Sequence, residues 1–151
     1  NPSMRAALFG RIGADSPNIG LLVETAIFSQ WQHSRASNLY YARWQSGEVD
    51  IVSMSSSRQT PHWAVEVKWS DKPVASNGEL ANCVEFTRLN PSVSQPILVT
   101  TRTISGRTTF CETEFRFKPA ALYAYTLGAN LLEKVWEDPE ILRTSQVPQT
   151  P

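Results

Sequence analysis

The chain holds only two cysteines in 151 residues, Cys83 and Cys111, and their separation matches no zinc-ligand spacing. Thiols this sparse fit buried core residues in a reducing compartment and argue against a disulfide framework. Histidine is as scarce: His33 and His62 lie far apart with no partner at metal spacing. They read as a helix-end surface residue and a strand-start residue, and neither supports a zinc site. No apolar run approaches the ~20 residues that span a bilayer, and the N-terminus lacks the basic-then-apolar layout of a signal peptide. A soluble, cytoplasmic protein with no membrane partner is expected.

Bulk charge is missing too. Fourteen basic residues balance fourteen acidic ones, which excludes the broad positive field of a protein that coats nucleic acid, so any phosphate contact must be local. The basic residues Arg35, Arg43, Arg58, Arg88, Arg102, Arg107 and Lys118 are scattered, and only folding could gather them. The stretch Gly10 to Gly20 holds three glycines but no Gly-Lys-Ser/Thr ending, so it is not a phosphate-binding loop. No Gly-x-Ser-x-Gly occurs, which removes the usual serine-hydrolase elbow.

What is present suffices for one globular domain, since 41% of the residues are hydrophobic. The chain opens at Asn1, and Met4 is soon followed by continuing domain sequence, as in an excerpt from a longer protein. The expected layout is a single domain over 1–137, with a core at about 18–101, an extension at about 102–137, and a loosely held tail at 138–151.

Residues 10 to 20 are rich in glycine and turn formers and should be a loop, with Asn18 or Ser16 able to cap the helix that follows. Apolar residues then recur at helical spacing from Ile19 to about Gln32, giving an amphipathic helix that carries Glu24. Asn38 to Trp44 and Val49 to Met54 read as a hairpin around Gln45-Ser46-Gly47-Glu48, and His62 to Trp69 as a third strand. After a break at Asp71 to Gly78, a helix from Glu79 to about Leu89 stops at Asn90-Pro91. Pro96 to Thr101 suits a buried strand parallel to one neighbour, because a helical crossover leads to it. Thr108 to Phe117 reads as one further strand, and Pro119 to Trp136 as an amphipathic helix with proline in its first turn. The tryptophans at 31, 44, 63 and 69 read as core and sheet cover.

Candidate chemistry sits on the third strand. In Trp63-Ala64-Val65-Glu66-Val67-Lys68-Trp69 the odd positions are large and apolar, so period two places Glu66 and Lys68 together on the other face. Taken alone the pair reads as a solvated ion pair worth a fraction of a kcal/mol. Asp50 raises the functional reading, because aspartate is disfavoured inside a strand and antiparallel pairing brings it beside Glu66. Adjacent carboxylates repel one another and invite a cation. Glu24 is either the polar edge of its helix or a group turned to the same sheet face.

Glu24, then Val49-Asp50 after a hairpin turn, then Glu66-Val67-Lys68 on a third strand resembles the PD-(D/E)XK nuclease core. Gly20-Leu21-Leu22-Val23-Glu24, Leu39-Tyr40-Tyr41, Gly47 to Val52 and Val65 to Ser70 resemble the C-terminal domain of prokaryotic AAA-type ATPases, over roughly Arg5 to Thr101. The resemblance implies an α/β fold with a restriction-endonuclease-like core of helix, three strands, helix and strand. A mixed sheet with its first three strands antiparallel, helices on both faces and a C-terminal helical extension complete it. It implies a magnesium or manganese ion on Asp50 and Glu66, with Glu24 assisting, and Lys68 beside the attacking water. The implied function is phosphodiester hydrolysis of nucleic acid, DNA first, in a domain joined to an ATPase and able to pair with itself. The alternatives are a catalytically silent accessory module that binds a protein or nucleic acid for that ATPase, or a merely structural polar cluster.

Overall fold

A computed structural model describes residues 10, 12–13, 15–32 and 38–137. The expectations for His33, Arg35 and the tail at 138–151 lie outside the described residues. Ser16 organises the turn into the first helix: its hydroxyl accepts the Asn18 amide at 3.3 Å and its carbonyl accepts the Ile19 amide at 3.0 Å. Helix α1 runs Ile19–Gln32. Strands β1 (Leu39–Arg43) and β2 (Glu48–Met54) form the expected hairpin, closed by the Trp44 amide on the Gly47 carbonyl at 2.9 Å.

Strand β3 covers Pro61–Glu66, stopping short of the expected Trp69. The ladder ends there because side chains take over the next backbone groups, Asp50 at Val67 and Thr100 at Lys68. A short helix α2 (Lys72–Ala75) occupies the expected break, and a 3-10 turn over Asn77–Leu80 leads into α3 (Ala81–Leu89). Strand β4 is Ile97–Thr101.

The region read as one strand over Thr108 to Phe117 is instead a hairpin of β5 (Gly106–Phe110) and β6 (Thr113–Pro119). Its two-residue turn, Cys111-Glu112, has positive φ at both positions, 48° and 63°. That conformation suits the twist of a tight hairpin but is normally signalled by Asn-Gly or Asp-Gly, so this sequence conceals it. Cys111 is consequently exposed rather than in the core, whereas Cys83 is buried as expected, and both are free thiols. Helix α4 (Ala120–Glu137) follows β6 directly, so the extension is a hairpin plus a helix rather than helical alone.

The six strands lie in the order β1-β2-β3-β4-β6-β5. The first three are antiparallel, β4 is parallel to both β3 and β6, and β5 is antiparallel to β6. On one face Leu80, Cys83 and Phe86 around α3 meet Val52, Ala64, Val99 and Phe115. On the other, Ile27 of α1 and Tyr123 and Leu127 of α4 cover Ile51, Val65 and Val67. Trp31 and Trp63 stack at 4.8 Å within this second layer, and Trp44 lies 6.2 Å from Phe86 in the first. Among the described residues no helix is long and apolar enough to cross a membrane.

Candidate functional site

Sheet topology sets where the candidate residues meet. Parallel β3 and β4 end side by side at Glu66 and Thr101, and crevices at the carboxyl ends of such strands are favoured ligand sites. Asp50 reaches this place through an irregularity. Tyr40 pairs with Val52 while Ala42 pairs with Val49, so two residues, Asp50 and Ile51, stand opposite Tyr41 alone. Such a bulge turns the strand locally and re-aims a side chain. The Asp50 carboxylate is thereby brought to the Val67 amide, which donates to Oδ2 at 2.7 Å.

Glu66 is 3% exposed. One oxygen, Oε1, takes the Lys68 ammonium at 2.8 Å. The other, Oε2, is buried and makes no hydrogen bond among the described residues, although the Asp50 amide is close enough to the carboxylate to pull it down. Burial, then the Asp50 charge, pushes the Glu66 carboxyl up to about 7 against the opposing pull of Lys68. Burial likewise raises the Asp50 carboxyl, while the Val67 amide and Lys68 pull it down. For Lys68, burial disfavours the charged form but Glu66 outweighs it, first by charge and then by hydrogen bond, and the ammonium is held above its ordinary value.

Glu24 joins them from α1. It is half-buried, and its carboxyl is raised first by burial and then by the Asp50 charge. Glu24 and Asp50 line one cleft of about 300 Å³ together with Thr25, Phe28, Tyr41 and Val67. All four expected residues are thus electrostatically linked around one sheet end. Glu24 faces the sheet side of its helix rather than standing at a detached polar edge.

Three contributors escaped sequence reading. Thr100, fully buried, accepts the Lys68 amide at 2.7 Å and donates to the Lys68 carbonyl at 2.8 Å. Threonines closing an apolar strand, Thr100 and Thr101, were the available signal. Tyr41 lines the cleft, and its hydroxyl donates to Glu48, which raises the Tyr41 hydroxyl. Glu79 adds to the charges that lift Lys68. A larger cleft, about 540 Å³, lies elsewhere, between α3 and the β5–β6 turn, with Arg88, Glu112 and Glu114 on its walls. It contains none of the four residues.

The donor set fits a hard divalent cation. Asp50 and Glu66 are neighbouring carboxylates, Glu66 Oε2 makes no hydrogen bond among the described residues, and oxygen ligands suit magnesium or manganese. Among the described residues no three His, Cys, Asp or Glu side chains already form a metal cage. No family model, no curated protein and no solved structure matches this chain.

Proposed function

We propose that the chain is a metal-dependent phosphodiesterase that hydrolyses nucleic acid, DNA in the first instance, and that its α/β fold is a restriction-endonuclease-like core. The observation that carries this reading is Glu66 Oε2, a buried carboxylate oxygen that makes no hydrogen bond among the described residues, beside a second carboxylate and a lysine. Leaving such an acceptor unmet costs about 1–3 kcal/mol, a cost that a bound cation removes. The order of helix, three antiparallel strands, helix and parallel strand supports the same reading.

In this mechanism Asp50 and Glu66 would hold the cation, and Glu24 would support it from the helix side. A bound magnesium or manganese ion supplies Lewis acidity and a more acidic water. Val67 fixes Asp50 through its amide, and Thr100 fixes the backbone of Lys68 from both sides. Lys68 has a partly exposed ammonium with three donors, one of them on Glu66. Its remaining donors orient the attacking water and meet the negative charge that develops on phosphate. Calorimetric titration of manganese, with a DNA cleavage assay, tests this: Asp50→Ala and Glu66→Ala should each abolish binding and cleavage. Cleavage unchanged in Glu66→Ala sinks it.

A second reading rests on the Lys68–Glu66 ion pair, which closes one oxygen of the site and leaves no ready-made cage. On that reading the domain is a catalytically silent module serving an ATPase in the same longer chain, binding a protein or nucleic acid or pairing with itself. Manganese-dependent turnover by the folded chain excludes it.

A further inference from the structure

We infer that Arg107, Arg116 and Lys118 form a binding site for the phosphodiester backbone of a nucleic-acid strand. The inference rests on the preceding reading only in taking the polyanion to be nucleic acid, and it requires neither metal nor catalysis.

The three cations are gathered by the β5–β6 hairpin. Arg107 and Arg116 are direct cross-strand partners, and Lys118 lies two residues further along β6 on the same side. Phe115 and Phe117, the alternate positions, are buried toward α3, so the basic residues occupy the face that α1 and α4 share. They line a cleft of about 280 Å³ with Ser105, Gly106, Phe117 and Leu122, and no acidic residue borders it among the described residues.

Like charges placed directly opposite on paired strands destabilise a sheet. Here nothing offsets them: among the described residues the only ion pairs are Lys68–Glu66 and Arg102–Asp15. The acid nearest along the strand, Glu114, sits opposite Thr109 at the next pair and closes no ion pair with either arginine. In a chain of zero net charge, this is a local excess of positive charge awaiting an anion. Lys118 Nζ is held by the Thr126 hydroxyl at 3.0 Å, which fixes its position and leaves further donors. Helix α4 begins directly after β6 with no acid in its first turn, so its positive end adds to the field.

Thr100 pairs with Lys118 on one side and bonds the Lys68 backbone on the other. Lys118 therefore lies near the end of β6, with β4 between it and the end of β3, ~10 Å across the sheet, while Glu66 faces the α3 side with its partner Val99. The Glu24–Asp50 cleft opens on the same α1 side.

The test is fluorescence anisotropy of labelled single-stranded and duplex DNA in EDTA, with salt varied from ~50 to ~200 mM. The wild-type chain should bind with steep salt dependence. Arg107→Ala/Arg116→Ala should weaken binding at least about tenfold and reduce the slope of log K against log salt by about 1.8 on duplex, about 0.9 for each lost cation. Arg88→Ala, at the far cleft, should bind like wild type. Both arginines are exposed, and far-ultraviolet circular dichroism checks that the double variant folds. No DNA binding by the wild-type chain, or equal binding by the double variant, overturns the inference. So does full competition by inorganic phosphate, or preferential binding of phosphatidylserine vesicles. Manganese binding lost in Asp50→Ala but kept in the arginine variant separates the two sites, so either can fail alone.

Discussion

Thr100 clamps Lys68 at both ends of one residue, taking its amide at 2.7 Å and giving a proton to its carbonyl at 2.8 Å. A single buried hydroxyl thus substitutes for the sheet ladder where β3 stops.

Thr100→Val keeps the shape and removes both bonds. Leaving the Lys68 backbone unsatisfied should cost about 1–3 kcal/mol in denaturant unfolding. Thr100→Ser should recover most of this. Equal stability of Thr100→Val and wild type would show that the hydroxyl is dispensable.

Manganese should stabilise the wild-type chain by mass action, about 2.7 kcal/mol at a hundredfold excess over Kd, and raise its Tm accordingly. Asp50→Asn and Glu66→Gln should show no such rise. A rise that persists in both places the ion elsewhere.

Asp71 anchors the loop after β4, accepting the amides of Arg102, Thr103 and Ile104 at 3.1, 2.9 and 3.2 Å and the Thr103 hydroxyl at 2.7 Å. These bonds, led by the Thr103 amide, hold its carboxyl below the ordinary value of 3.8. A depressed carboxyl stabilises the fold above its unfolded value, and that contribution is lost as pH falls through the folded one. Amide exchange at 102–104 should therefore quicken relative to β4 below about pH 3.8. Asp71→Ala should show fast exchange at every pH. Protection that stays constant down to acid unfolding contradicts the anchor.

The Cys111-Glu112 turn carries two left-handed residues, each costing roughly 1–2 kcal/mol where glycine or asparagine would not. Cys111→Asn/Glu112→Gly should raise unfolding free energy by about 1–2 kcal/mol in chemical denaturation. In the wild-type chain Cys111 should react rapidly with a thiol reagent. Cys83, buried and with its thiol pushed well up, should react only on unfolding.

Local pattern made much of this fold readable. Helical spacing located α1, alternation in Trp63 to Trp69 separated the apolar face from Glu66, and a helical crossover implied that β4 is parallel. What stayed hidden was set by tertiary geometry. The bulge opposite Tyr41 depends on pairing register, the early end of β3 depends on two side chains from other strands, and the β5–β6 turn uses residues without turn preference. Arg107, read as scattered, meets Arg116 only once the hairpin closes.

The site's key bonds join residues distant in the chain: Val67 to Asp50 across 17 positions, and Lys68 to Thr100 across 32. Strands β1 to β3 can form a meander from local contacts, but Lys68 is fixed only after β4 has docked, a slower, loop-closing event. During synthesis, then, the carboxylates emerge well before the threonine that disciplines the lysine. A nascent chain ending before β4 carries the charges without the arrangement, and the finished site becomes a late marker of completed folding.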